Sequence, residues 1–155
     1  MADTKEMRAK QVYETLCAAL DARGWRYKKF EEDLVITFTV SGDDIPMEFV
    51  LIIDANRQLI RLSSKLPFTV SEDKRMELAI ATCAVTDRLV DGSFDYDITK
   101  GTIYFRMTAS FRDSQIGEGL FRYMVDCSAS TVDDFNDKFL ALSKGLISIN
   151  DFLAK

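Results

Sequence analysis

Asp95 and Asp97 stand two apart in the string Gly92-Ser93-Phe94-Asp95-Tyr96-Asp97. Residues two apart on a strand share a face, so this pair could hold a cation or share a proton. The spacing lacks the third acid and the glycine of a calcium loop, and a solvated strand face beside a turn accounts for it more simply. Asp43-Asp44, after Ser41-Gly42, is likewise turn chemistry rather than a ligand pair. Ile116-Gly117-Glu118-Gly119 is a loose glycine pair at a helix start with no Lys-Ser or Lys-Thr after it, so it makes a poor phosphate loop. The three cysteines, Cys17, Cys83 and Cys127, are dispersed and odd in number, and each lies in an apolar helical stretch. That pattern fits reduced thiols serving as small buried hydrophobes, not a disulfide framework.

The chain contains no histidine. This removes Ser-His-Asp and Cys-His nucleophiles, histidine zinc sites and the commonest base near neutral pH. No catalytic residue, cofactor site or metal site is expected, and the chain reads as a non-enzyme.

The elements that must position any function come next. A length of 155 residues with 47% apolar content suits one domain over residues 1–155 with a substantial core. Net charge is −5, and the basic pairs Lys28-Lys29 and Lys74-Arg75 are both bordered by acids. Phosphate-backbone binding needs clustered cations, so neither nucleic acid nor an anionic membrane is an expected partner. The N-terminus lacks the apolar stretch of a signal peptide, and no apolar run reaches the roughly 20 residues of a membrane span. A soluble, cytoplasmic protein is expected.

Asp3 with Glu6 could form a capping box for a first helix, Asp3 to Arg23, whose stripe is Val12, Leu16, Ala19 and Leu20. Leu34, Ile36, Phe38 and Val40 alternate as a first strand. Met47 to Ile53 is apolar on both faces, as for a central strand covered on two sides, and Gln58 to Leu62 is a third. Ser71 caps a second helix running to about Val90. At about 100° per residue its apolar side chains form two stripes. Met76, Ala79, Ile80, Cys83 and Val90 make one, and Leu78, Ala81, Val85 and Leu89 the other. One sheet can cover only one stripe, so the second implies another element or another subunit, and Leu78, Ala81, Val85 and Leu89 are the candidate dimer interface.

Phe94, Tyr96 and Ile98, then Ile103, Phe105, Met107 and Ala109, alternate as a hairpin about Thr99-Lys100-Gly101. A long last helix opens at Asp113 or Ser114 and keeps one stripe from Phe121 to Leu142, through the weak helix formers Cys127 to Thr131. Ser148 with Asp151 caps a short terminal helix. The class is α+β with an antiparallel sheet, in the order α-β-β-β-α-β-β-α and then a short helix. Val35, Val50, Ile52 and Tyr104 lie opposite the main apolar sets and form a candidate partner groove.

That order, with Trp25-Arg26-Tyr27 before the first full strand, the Gly92 to Asp97 string, Asp133-Asp134-Phe135, Leu140 to Gly145 and Ser148-Ile149-Asn150-Asp151, resembles the YbjN family. The family is labelled as bacterial sensory transduction regulators and shares the fold of type III secretion chaperones. The resemblance implies a homodimer that binds an extended segment of a client protein, as a chaperone-like or regulatory adaptor. A small-molecule or lipid sensor, with an enclosed apolar cavity, is the alternative.

Overall fold

The computed structural model describes residues 4–154. The Asp3 half of the expected N-terminal capping box lies outside them. Helix α1 (Thr4–Ala22) precedes strands β1 (Lys28–Phe30), β2 (Val35–Val40), β3 (Met47–Asp54) and β4 (Leu59–Lys65). Helix α2 (Arg75–Arg88), the hairpin β5 (Ser93–Asp97) and β6 (Thr102–Ser110), the long α3 (Glu118–Ser143) and the short α4 (Ile149–Leu153) follow. All strand pairs are antiparallel, in the six-stranded order β1-β2-β3-β4-β6-β5. The sheet thus folds as an α+β structure of the expected class. Because β6 takes the place beside β4, β5 becomes an edge.

The period-two pattern decides which face is covered. Ile36 and Phe38, Phe49, Leu51 and Ile53, Ile60 and Leu62, and Ile103, Phe105 and Met107 all point to the helices and are buried. Helix α3 packs on β3 and β6, α1 packs on α3 and β3, and α2 packs on β5, α3 and α4. Along α3 the buried residues Phe121, Met124, Val125, Ser128, Val132, Phe139 and Leu142 keep one stripe. Burial of that stripe carries the helix unbroken through Ser128 to Thr131, against their weak propensity.

Four expectations are corrected. A sixth strand, β1, exists; its three residues are all exposed, so no alternation marked it. The first full strand begins at Val35 because Leu34 is left-handed, with φ 55°, at the end of a 3₁₀ turn over Glu31–Asp33. Helix α3 begins at Glu118 rather than Asp113, whose φ of 49° is incompatible with a helix. Finally, β3 is covered on one side only among the described residues: Met47, Phe49, Leu51 and Ile53 are buried, while Val50 and Ile52 are half-buried on a face over which no described helix packs. The outward residues of β3 are apolar for a reason other than a second layer of this chain.

The second helix differs too. A 3₁₀ turn over Glu72–Lys74 precedes it, and Ser71 caps no backbone amide; its hydroxyl donates to Asp73 at 2.7 Å. Leu78, Ala81 and Val85 are buried in the subunit's own core, at 0%, 0% and 1% exposure. They cannot face a second subunit. Leu89 lies past the helix, in extended backbone, and packs half-buried against the core. The stripe left outside is the opposite one: Met76 is 68%, Ile80 49% and Val90 99% exposed, and Cys83 is exposed beside them. Cys17 is buried as expected, which pushes its thiol pKa up, and Cys127 is half-buried.

Candidate functional site

The uncovered face of the sheet is the candidate surface that gathers the expected groove residues. Strand register arranges its side chains in rows across the sheet. One row runs Phe30, Val35, Ile52, Arg61, Thr108. The next runs Lys28, Thr37, Val50, Ser63, Arg106, Ser93. A third links Lys65, Tyr104 and Asp95. The expected groove residues Val35, Val50 and Ile52 therefore come together: Val35 is directly opposite Ile52, and Val50 is one row away. Cross-strand β-branched pairs of this kind hold strands in register. Tyr104 shares the face but lies two strands from Val50, roughly 10 Å at the usual strand spacing. Its ring carries the Lys65 ammonium at 5.8 Å instead.

Beside this apolar group is an open cleft of about 560 Å³ between Arg26-Tyr27-Lys28 and Thr37, Glu48 and Val50. The Tyr27 hydroxyl donates to Asp21 at 2.7 Å. Burial, and then this bond to a carboxylate, push its phenol pKa up, so it is a neutral donor and part of the wall.

The two acids of the β5 pair are both occupied in structure. Asp95 is held by Arg106 Nε at 2.8 Å and by the Ser93 hydroxyl at 2.9 Å. Asp97 accepts the Thr99 and Lys100 amides at 3.0 and 3.1 Å and so shapes the β5–β6 turn. The Asp43 amide donates to Asp133 Oδ1 at 3.0 Å, pinning the β2–β3 turn to α3. Gly42 sits so close to that carboxylate that a Cβ there would lie 2.1 Å from Oδ1. Asp44 is left facing Asp137, Asp133 and Asp43, and the Asp137 charge above all raises its carboxyl pKa. A Cβ at Gly117 or Gly119 would meet nothing within 4 Å, so no backbone approach requires glycine there. Among the described residues no group of three or more acids and thiols is placed to hold a metal ion, and no helix is long and apolar enough to cross a membrane.

Two members of the open face escaped the sequence reading. Phe30, 47% exposed, sits on a strand too short to show a period. Arg61 was legible: it alternates with the buried Ile60 and Leu62, which places it outward.

A one-sided antiparallel sheet with its helices on the other face defines the class: the fold is that of the type III secretion chaperones. The chain belongs to the YbjN family, described as "Putative bacterial sensory transduction regulator", which matches residues 13–141. A chain of the HopA1–SchA chaperone–effector complex superposes with a TM-score of 0.63 at 9% identity, over 84% of this chain and 97% of that one. The Escherichia coli YbjN structure, described as "a putative transcription regulator", gives 0.60 at 13% identity, over 85% and 92%. A chain of the ExsC–ExsE complex gives 0.55 at 14%, over 84% and 92%. At such identities the likeness is one of fold. No curated protein matches the sequence.

Proposed function

We propose that this chain is a non-enzymatic protein-binding protein, a chaperone-like or regulatory adaptor that acts as one domain and as a homodimer. The observation that carries the reading is the uncovered sheet face, where Val35, Val50 and Ile52 are gathered, half-buried, with no layer of the described residues over them. Apolar side chains kept outward on a central strand are costly to leave wet, and a partner that covers them recovers that free energy. The best candidate acids are tied to Arg106 and to turn amides, which supports the non-enzymatic reading. Two of the structural neighbours are themselves complexes, one of a chaperone with an effector.

The dimer half of the reading rests on the outer stripe of α2. Met76, Ile80 and Cys83 follow one another at helical spacing, and Val90 lies just past the helix end. Leu153 of α4 is 37% exposed as well, and its carbonyl accepts a bond from Arg88 at the end of α2. A second copy of the same stripe is self-complementary about a twofold axis.

A photo-crosslinking amino acid at Val50 tests the partner surface in the cell of origin. Discrete adducts at position 50, absent when the same group replaces the exposed Arg122 on α3, support it. Equal labelling from both positions refutes it.

A further inference from the structure

We infer that the open sheet face takes an extended protein segment that is acidic as well as apolar, with Arg61 pairing one of its carboxylates. This rests on the protein-binding reading above and names the chemistry of the partner. The chain as a whole carries net charge −5, yet the two central rows of this face hold the cations Lys28, Arg61 and Arg106 and no acid. The acids that do face this side, Glu48, Asp54, Asp95 and Asp97, lie at strand ends or on the edge strand β5. Asp54 is engaged by the Arg57 amide at 3.0 Å, and Asp95 takes up Arg106.

Arg61 is the exception among these cations. It is half-buried in the sheet face, and its cross-strand neighbours are Ile52 and Thr108. Among the described residues no carboxylate pairs with it. A guanidinium is a rigid fork suited to two parallel bonds with a carboxylate, and one partly withdrawn from water forms them more strongly than a surface lysine does. The neighbouring apolar group makes an isolated phosphate or small anion a poor fit. The surface asks for a ligand that brings apolar side chains and a carboxylate on one backbone.

The geometry sets a spacing. The apolar pair Val35 and Ile52 centres between β2 and β3, and Arg61 lies in the same row on β4. One and a half strand intervals separate them, about 7 Å, which an extended chain spans in about two residues. The bound segment therefore carries a branched apolar residue and an acid about two positions apart.

The test is selection of a phage-displayed random dodecapeptide library on the full chain, on Arg61→Glu and on Ile52→Asp, each checked for native circular dichroism. The expected result is enrichment of an acid about two positions from a branched apolar residue. Arg61→Glu should then weaken the selected peptide at least tenfold and select lysine or arginine at that position instead. Peptides that need Ile52 but show no acid preference, and bind Arg61→Glu equally well, overturn this inference while the protein-binding reading stands. Failure to enrich any peptide, or enrichment indifferent to Ile52→Asp, overturns both. Arg61-dependent binding of a single-stranded oligonucleotide, in preference to every peptide, overturns the inference in favour of a phosphate backbone.

Discussion

Placing one aspartate on either side of α2 separates core from interface. Leu78 is fully buried in the subunit. Leu78→Asp loses about 2–3 kcal/mol of burial, and an unpaired buried carboxylate adds several kcal/mol more. Against a typical stability of about 5–15 kcal/mol, that predicts insoluble or unfolded chain. Ile80 is 49% exposed on the outer stripe, so Ile80→Asp leaves the fold almost untouched. In a twofold dimer it counts twice. Losing the burial of the exposed half costs about 1 kcal/mol per protomer. Two like charges brought into one apolar contact cost at least about 2 kcal/mol more. The sum, about 4 kcal/mol, weakens association by about three orders of magnitude. Light scattering across a concentration series reads the mass, and circular dichroism reads the fold. The expected outcome is a wild-type dimer, a folded Ile80→Asp monomer and a lost Leu78→Asp. A wild-type monomer at the highest soluble concentration, an Ile80→Asp dimer of unchanged affinity, or a soluble, folded Leu78→Asp would refute the reasoning.

Cys83 is exposed near the middle of the stripe from Met76 to Val90, so a twofold axis through the stripe brings two copies within disulfide range. Mild oxidation should give a covalent dimer on a non-reducing gel that Cys83→Ser abolishes; persistence of the band in Cys83→Ser would move the axis elsewhere. Asp44 has its carboxyl pKa raised, chiefly by Asp137, so the folded state holds that proton more tightly than the unfolded chain does. Its contribution is therefore fully present below 3.8 and lost as pH rises through the folded pKa. Asp44→Asn should raise the Tm at neutral pH and give no gain in acid well below 3.8, and an equal gain at both would argue against this charge repulsion. Gly101 has φ +72°, and a Cβ there would lie 2.4 Å from the Val70 carbonyl. The left-handed backbone alone costs an alanine about 1 kcal/mol, and Gly101→Ala should lower the Tm by about 3 °C or more in a chain of this size. An unchanged Tm would mean that the turn has other conformations open to it.

The parts of the fold that were legible share one property: their apolar period and their burial agree. The α3 stripe and the alternation of β6 are of this kind. Periodicity says which residues share a face, but not what covers that face. Val50 and Ile52 are as apolar as a second buried layer would make them, so the sequence pattern alone predicts cover that the described residues do not supply. Helix α2 poses the same problem twice over, because both its stripes are apolar. What selects the inner one is the surface it meets. The γ-branched Leu78, the small Ala81 and the β-branched Val85 fit a close approach to β5 and α3, with the Thr82 hydroxyl satisfied by the Leu78 carbonyl at 2.8 Å. The flexible Met76, with Ile80 and Cys83, is left in water. The left-handed residues Leu34 and Asp113 fall outside the elements expected to open on them, moving the strand start by one residue and the helix start by five, and nothing in the periodicity of the flanking segments encodes that.

The two proposed contacts use opposite sides of the molecule, and this fixes how they combine. The outer stripe of α2 belongs to the helical layer, whereas Val35, Val50, Ile52 and Arg61 lie on the far face of the sheet. A dimer joined through α2 therefore leaves both sheet faces open, and each protomer carries a complete binding surface. The folded Ile80→Asp monomer should then bind a selected acidic peptide with the affinity of the wild-type protomer, and calorimetry should give one peptide per chain for both. Avidity would appear only for ligands carrying two such segments on a linker long enough to reach around the dimer. If the monomer instead loses the short peptide, the segment contacts both protomers and the surface drawn from a single sheet is incomplete.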